Sequence, residues 1–169
     1  MNICFVLGTR PEIIKLSPLI KLCKKKKIKF TIIHTGQHFN YNMEGQFFKD
    51  LHVKPKYFLN LNNKNNYNKN FFIRAVKKLV TCYTKVNPDF IINQGDTNTV
   101  LASALAYKKI KNKIKAKLVH VEAGIRSFDK KMPEEINRIK ADKISDILFA
   151  PTSIAKKNLV SEKLKNKKI

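Results

Sequence analysis

Acidic side chains are scarce in this chain, and four of its twelve fall within fourteen positions, at Glu122, Asp129, Glu134 and Glu135. Glu122 comes directly after the apolar run KLVHV, and Asp96 follows the run DFIINQ in a similar way. A carboxylate just beyond a buried strand is partly desolvated, and desolvation favours the protonated form that proton transfer requires. Asp96 and Glu122 are therefore candidate acid–base residues, although Asp96 could instead cap the helix that follows it.

The other three acids of the cluster have simpler explanations. Glu134 and Glu135 follow Pro133, where a helix is predicted to begin. Carboxylates in a first helical turn complement the helix dipole, at about 0.3–1 kcal/mol each, and this explanation is sufficient for one of the two. Asp129 lies beside two lysines in a predicted loop and needs no special role.

Arginine is rare, and three of the four arginines, Arg10, Arg126 and Arg138, lie in two short segments, 8–15 and 120–138. A planar, permanently charged guanidinium binds phosphate oxygens in pairs, which lysine does not do. Arg10 and the free N–H groups of the following helix could hold a diphosphate, with Lys15 about one turn further on. The alternative for Arg10 and Lys15 is a surface ion pair with Glu12.

The histidines do not have the spacing of a metal site. His34 and His38 are four residues apart, but a glycine at a strand exit separates them. No third ligand follows at a suitable distance, so we expect no metal and no cofactor. His120 stands at a strand end and is expected to be a hydrogen-bonded core residue.

The elements that must position these residues alternate along the chain. Apolar runs predict strands, and apolar residues at helical spacing predict helices. Predicted strands cover 2–7, 29–35, 89–94, 117–121 and 146–150; predicted helices cover 11–25, 41–51, 71–86, 97–110 and 133–144, with a last helix from Thr152 and a polar loop over 59–70. Strands that are apolar throughout favour a parallel sheet covered on both faces. The predicted fold class is therefore α/β, a doubly wound parallel sheet of the Rossmann-like kind.

Glycines mark the ends of the predicted strands. Four of the five glycines, Gly8, Gly36, Gly95 and Gly124, lie at or near strand exits, where the backbone must turn sharply. Ligands of such sheets bind beyond the carboxyl ends of the strands. The loops that contain these glycines are thus the predicted site of chemistry.

Composition excludes several classes of protein. The net charge of +23 invites a nucleic-acid function. Lysine supplies 31 of the 35 positive charges, however, and base-reading proteins depend on arginine, so we expect no specific nucleic-acid partner. No apolar run is long enough to span a membrane, no signal peptide is predicted, and three cysteines without a CxxC pair predict reduced thiols. We expect a cytoplasmic protein.

Six segments occur in an order that carries a family resemblance: GTRPEIIKLSPLI, TGQHFNYNM, QGDTNTVLASALA, HVEAGIRS, MPEEINR and APT. Together they resemble the non-hydrolysing UDP-N-acetylglucosamine 2-epimerases over nearly the whole chain. That family has two Rossmann-like domains in the glycosyltransferase-B arrangement, with the active site between them. The resemblance implies that residues 1–169 form the N-terminal domain only, and that a separate polypeptide supplies the C-terminal UDP-binding domain.

The resemblance also implies a reaction and its residues. Members interconvert UDP-N-acetylglucosamine and UDP-N-acetylmannosamine by eliminating UDP and adding it back with the opposite configuration at C2. By motif, the catalytic carboxylates are Asp96, Glu122 and Glu134, and the substrate-binding residues are Arg10, Lys15, Gln37 and His38, the last two in a segment linked to regulation in bacterial members. A homodimer is a further expectation. The alternatives are an inactive truncated remnant of the enzyme and a basic protein associated with nucleic acid.

Overall fold

The computed structural model describes the backbone of residues 1–37, 41–61, 69–164 and 167–169, and the side chains of the same residues except 41–44, 69 and 70. In this part of the chain six strands form one sheet: β1 (Asn2–Leu7), β2 (Lys29–His34), β3 (Tyr57–Phe58), β4 (Phe90–Gln94), β5 (Lys117–Val121) and β6 (Ile147–Phe149). The helices are α1 (Arg10–Lys25), α2 (Tyr41–Asp50), α3 (Lys69–Val86), α4 (Asn98–Ile110), α5 (Pro133–Ile144) and α6 (Ser153–Ser161).

All neighbouring strands pair in parallel, in the order β3-β2-β1-β4-β5-β6. This is the strand order of a doubly wound Rossmann-like sheet, so the predicted fold class is confirmed. The order reverses between β1 and β4, which are adjacent in the sheet but far apart in sequence. Such a reversal opens a crevice at the carboxyl ends of the two strands.

Helices cover both faces of the sheet because successive side chains of each strand point to opposite faces. In β1, Cys4 and Val6 pack into a core with α3 and α4. The alternate residues Phe5 and Leu7 pack into a second core with α1 and α2. The near-continuous apolar strands of the sequence are thus explained by burial on both sides.

The polar segment 59–70 is shorter as a loop than predicted. Leu59 and Leu61 are buried, and their N–H groups donate to the carbonyls of His34 and Thr35, continuing the direction of β3. The helix α3 begins at Lys69 rather than at residue 71. Residues 62–68 lie outside the described part of the chain.

Threonines stand at the N-cap of three described helices, with Thr9 before α1, Thr97 before α4 and Thr152 before α6. The Thr97 hydroxyl accepts a hydrogen bond from the Val100 N–H at the start of α4, and the Thr152 hydroxyl accepts one from the Ala155 N–H at the start of α6. Within the described residues, no helix combines the length and apolar character that crossing a bilayer requires.

Candidate functional site

A cavity of about 210 Å³ opens at the reversal point of the sheet, between the loops that follow β1 and β4. Its walls also include the first residue after β5 and one residue of α5. The lining residues are Thr9, Pro11, Glu12, Lys15, Gln94, Gly95, Asp96, Thr97, Glu122, Ile125 and Arg138. Three of these carry carboxylates and two carry cations, which is the composition of an acid–base site rather than of an apolar pocket.

Asp96 reaches this cavity from the turn after β4. Thr97, not Asp96, caps α4, so the alternative explanation of Asp96 as a helix cap does not hold. The Asp96 carboxylate forms an ion pair with Arg138 of α5. Asn137 also holds the Asp96 carbonyl, with its Nδ2 3.0 Å from that oxygen. Asp96 is therefore held in place by α5 and remains partly open to solvent.

Glu122 also lines this cavity, and its backbone conformation is unusual. Its φ of 70° is in the left-handed region, which costs a non-glycine residue about 1–3 kcal/mol and is concentrated at functional sites. Lys15 Nζ lies 2.8 and 3.0 Å from the two carboxylate oxygens, and Gln94 donates a further hydrogen bond. The expected alternative of an ion pair between Lys15 and Glu12 is wrong, because the partner of Lys15 is Glu122.

Glu12, which the sequence analysis did not select, is the most buried carboxylate of the cavity. Its Oε2 accepts from the N–H groups of Gly8 (2.6 Å) and Thr9 (2.9 Å) and from the Thr9 hydroxyl (3.1 Å). Its Oε1 accepts from the Thr97 hydroxyl at 2.7 Å. Burial raises the pKa of Glu12 to about 7, although these hydrogen bonds act to lower it. A carboxyl group that titrates near neutrality therefore forms one wall of the cavity.

The sequence contains part of the signal for Glu12. A threonine followed three residues later by glutamate is the pattern of a capping box, and Glu12 does accept from the backbone N–H of Thr9. That pattern alone predicts a helix cap and nothing more. The contact with Thr97, 85 residues away, appears only when β1 and β4 lie side by side.

Glu135 makes specific contacts in addition to placing a negative charge at the start of α5. It is buried, and it accepts from the N–H groups of Ser127 (3.1 Å) and Phe128 (3.2 Å) and pairs with Arg138. Burial acts to raise the pKa of Glu135, but these hydrogen bonds and the nearby charges of Arg126 and Arg138 outweigh it and lower the pKa. Dipole complementation is thus an insufficient explanation for Glu135, which anchors the loop before α5.

Behind the cavity, a buried polar network supports its loops. Asp142 of α5 contacts His120 Nδ1 through Oδ1 at 2.6 Å, and Gly124 N (3.1 Å) and Arg126 Nη2 (2.7 Å) through Oδ2. The other ring nitrogen of His120 lies 2.7 Å from the carbonyl of Gly95, the residue before Asp96. The prediction that His120 is a hydrogen-bonded core residue is confirmed.

Three predicted site residues, Arg10, Gln37 and Glu134, are described and do not line the cavity. Arg10 and Glu134 are exposed, at the first turns of α1 and α5, and the described contacts give neither an ion pair. Gln37 binds the start of α4, where its Oε1 accepts from the N–H (2.8 Å) and hydroxyl (2.9 Å) of Thr99. His38 lies outside the described residues. Substrate-binding or catalytic roles for these four stay predictions.

A second cavity, of about 870 Å³, is larger but chemically plainer. It lies between α2 and the segment leading into β3, and its lining is mainly apolar, with Phe48, Val53, Pro55 and Phe58. Among the described residues no carboxylate lines it, although His52, Lys49 and Lys54 do. The carboxylates predicted as acid–base residues, Asp96 and Glu122, line the smaller cavity.

The structure is therefore a Rossmann-like α/β domain with carboxylates and cations around the crevice at which sheets of this kind bind their ligands. Comparison with known proteins places it more narrowly. Residues 20–169 match the family model described as UDP-N-acetylglucosamine 2-epimerase, and the chain belongs to that family.

One relative, a crystal structure from the same organism and one distant structure illustrate the similarity. The UDP-N-acetylglucosamine 2-epimerase of Methanocaldococcus jannaschii is 48% identical over 100% of this chain and 45% of its own length. A crystal structure of the enzyme from that organism, in complex with UDP-GlcNAc and UDP, superposes with a TM-score of 0.91 at 47% identity, covering 100% of this chain and 46% of the other. The galactosyltransferase WaaB shares the fold alone, with a TM-score of 0.65 at 15% identity over 95% of this chain and 42% of the other.

The match extends over all of this chain but over less than half of each related protein. The chain spans about 45% of the length of the M. jannaschii relative and a similar share of the superposed crystal structure. The fold is thus that of one half of a glycosyltransferase-B-type arrangement.

Proposed function

We propose that this chain is the N-terminal domain of a UDP-N-acetylglucosamine 2-epimerase and that, completed by a second domain, it interconverts UDP-N-acetylglucosamine and UDP-N-acetylmannosamine. The observation that carries the proposal is the meeting of Asp96 and Glu122 at one cavity, in a chain that belongs to the epimerase family. The three free, buried cysteines suit our further proposal of a cytoplasmic enzyme, since thiols stay reduced there.

Inversion at C2 requires a proton to leave one face of the sugar and to return on the other, so at least two acid–base groups are needed. Asp96 and Glu122 come from different loops and lie against different helices, α5 and α1, which suits them to opposite faces of a ligand. Each such group contributes about 10²–10⁴-fold to a rate. We assign the role of third catalytic carboxylate to Glu134, which is exposed at the start of α5 and accessible to a ligand above the cavity.

Elimination of UDP leaves negative charge on the departing diphosphate, which cations must stabilise. Arg10 is exposed at the first turn of α1, where the positive end of the helix dipole also favours an anion. Lys15 lies one turn further along the same helix, at the cavity. We assign diphosphate binding to these two residues and a regulatory ligand contact to Gln37 and His38.

The size of the cavity supports the need for a second domain. Small-molecule sites occupy roughly 300–1,000 Å³, and this cavity of about 210 Å³ holds only part of a nucleotide sugar. A second domain facing the carboxyl edge of the sheet would supply the remaining contacts and exclude water. A homodimer stays a prediction that sedimentation analysis tests separately.

The test is exchange of the C2 proton of UDP-N-acetylglucosamine in D₂O, followed by NMR. We expect exchange when this chain is mixed with the C-terminal half of the M. jannaschii relative, and none with either half alone. Asp96→Asn and Glu122→Gln should each lower the exchange rate at least about 10²-fold. Asp50→Asn, an exposed acid on α2, is the matched control and should leave the rate unchanged.

Circular dichroism of each variant separates loss of chemistry from loss of folding. If Asp96→Asn and Glu122→Gln both unfold the domain, these carboxylates are structural and the assignment of their roles is wrong. If the two halves associate and bind UDP-N-acetylglucosamine but never exchange the proton, the chain is an inactive remnant.

A further inference from the structure

Glu12 is a buried titratable group at the cavity to which the proposed mechanism gives no role. Its exposed fraction is 2%, yet it lines the same cavity as Asp96 and Glu122. It bridges the two loops that meet at the reversal of the sheet, since Gly8 and Thr9 follow β1 and Thr97 follows β4. Thr9 is followed in sequence by Arg10, and Thr97 is preceded by Asp96; both neighbours are among the residues proposed to act on the substrate.

No cation compensates the charge of Glu12 within the described residues. The charged side chains that face the cavity beside it are Lys15 of α1, Asp96 of the β4–α4 loop, Glu122 after β5 and Arg138 of α5. They pair with one another, Lys15 with Glu122 and Arg138 with Asp96. The exposed Arg10 contributes no ion pair in the described contacts. Hydrogen bonds and the N-terminal end of α1, in whose first turn Glu12 lies, therefore stabilise the ionised form of Glu12.

The arrangement of donors decides where a proton on Glu12 must sit. Oε2 accepts from two backbone N–H groups and the Thr9 hydroxyl, and backbone N–H groups cannot reverse their direction. Oε1 meets only the Thr97 hydroxyl, which rotates and can either donate or accept. A proton taken up by Glu12 from solvent therefore resides on Oε1 and points at Thr97 Oγ1.

We propose that Glu12 is a positioning residue that acts through Thr97, setting whether the Thr97 hydroxyl presents a hydrogen-bond acceptor or a donor to the cavity. When Glu12 is ionised, Thr97 O–H donates to Glu12 and shows a lone pair to the cavity. When Glu12 is protonated, Thr97 accepts from Glu12 and its own proton turns outward. In both states Thr97 Oγ1 continues to accept from Val100 N–H, so the cap of α4 is preserved.

This proposal deepens the proposed function and rests on it for the identity of the ligand. An anionic ligand is favoured by the protonated state for two reasons: the cavity loses a negative charge and gains a donor. UDP-N-acetylglucosamine suits a test because its diphosphate is esterified at both ends and does not titrate near neutrality. The pKa of Glu12, about 7, makes the change fall within the usual range of assays.

The first measurement does not depend on any ligand. In ¹⁵N-labelled protein, we expect the amide signals of Gly8, Thr9 and Val100 to titrate together with a midpoint near pH 7. Glu12→Gln should abolish that titration, since the amide can accept from Gly8 and Thr9 and donate to Thr97 at every pH. The exposed Asp50→Asn should leave it unchanged.

Two threonine variants keep the proposal testable if Glu12→Gln fails to fold. Thr97→Val removes a hydrogen bond that stabilises ionised Glu12, so the midpoint should move above 7, whereas Thr97→Ser should retain it. Signals that do not titrate between pH 5.5 and 8.5 in the wild-type protein, or that titrate equally in Glu12→Gln, would overturn the proposal.

The second measurement is the affinity of the chain, mixed with the C-terminal half of the M. jannaschii relative, for UDP-N-acetylglucosamine at pH 6 and pH 8. We expect binding to weaken about tenfold over this interval in the wild type, as one added negative charge near the ligand implies, and less than twofold in Glu12→Gln. In Thr97→Val, where Glu12 still ionises but at a higher pH, the decline between pH 6 and pH 8 should be smaller than in the wild type. Equal pH dependence in all three proteins would overturn the proposal. Absence of binding at either pH, with the amide titration intact, would instead reject the proposed function.

Discussion

Two buried carboxylates, 130 residues apart in sequence, have opposite surroundings. Asp142 lies between the cationic side chain of Arg126 and the ring of His120, with no exposed surface. Glu12 has backbone amides and two hydroxyl groups around it. Burial acts to raise the pKa of both carboxyl groups. At Asp142 the hydrogen bonds and charges of His120 and Arg126 outweigh burial, and the pKa is lowered. At Glu12 burial dominates, and the pKa is raised to about 7.

This difference in surroundings suits Asp142 to a structural role and Glu12 to taking up and releasing a proton. A carboxylate compensated by charge stays ionised and stabilises a fixed geometry, which suits the interior of α5, where Asp142 holds the loops before Asp96 and after Glu122. A carboxylate without a counter-charge exchanges its proton near neutrality, which suits a wall of a cavity. The same amino-acid chemistry thus acts as scaffold or as titrating group according to its neighbours.

The largest effect should follow from removing the charge of Asp142. Asp142→Asn leaves Arg126 its ion pair with Glu162 but removes the one with Asp142 and places an amide against donors, so we expect a loss of about 3 kcal/mol in the free energy of unfolding, the low end for a broken buried pair. Urea denaturation followed by circular dichroism measures it, with Asp50→Asn as the exposed control. A loss below 1 kcal/mol would mean that the network is not what holds these loops.

The next effect distinguishes the two carboxylates by the sign of their pH dependence. The folded pKa of Glu12, about 7, is above its ordinary value of 4.5, so the native state retains a proton that the unfolded chain releases. Stability from this group is greatest at low pH and falls between pH 4.5 and 7, by about 3 kcal/mol. Glu12→Gln should remove that decline relative to the wild type, as thermal unfolding at a series of pH values measures.

Asp142 should show the opposite dependence. Its folded pKa is below the ordinary value of 3.8, so its contribution is present above that value and is lost as the pH falls through the folded pKa. If Glu12→Gln and the wild type unfold in parallel from pH 4.5 to 7, the contrast between the two sites is wrong.

The smallest effect on stability should come from the ion pair at the edge of the cavity. Lys15 and Glu122 have side chains that are 53% and 27% exposed, and pairs of this kind contribute about 0–1 kcal/mol. Lys15→Met should therefore change the free energy of unfolding by less than 1 kcal/mol in urea denaturation, while weakening UDP-N-acetylglucosamine binding by the completed enzyme. A loss comparable with that of Asp142→Asn would place Lys15 in the scaffold.

Most of the fold follows from the sequence because buried parallel strands are apolar on both faces. Five of the six strands and the approximate bounds of all six helices are predicted correctly. The strand β3 is missed, since two residues, Tyr57 and Phe58, are too few for any periodicity to appear. Their pairing with Ile33 and His34 depends on the neighbouring strand β2.

The candidate site follows from the sequence in part. The positions of strand exits and of rare residue types predict that Asp96, Glu122 and Lys15 lie close together. All three line one cavity. Selection of rare residue types at strand exits does not find Glu12, because a glutamate at the third position of a helix already has a sufficient local explanation as a cap. It also predicts Arg10 and Glu134 at that cavity, where neither contributes to the lining.

The sequence by itself determined the succession of helices and of five strands along the chain, the edge of the sheet at which Asp96 and Glu122 lie, and the family to which the chain belongs, because each depends on residues close together along the chain. Tertiary structure decided which charges have partners. The proton affinity of a carboxylate depends on burial and on groups within a few ångströms, and Thr97 reaches Glu12 only after β1 and β4 have paired.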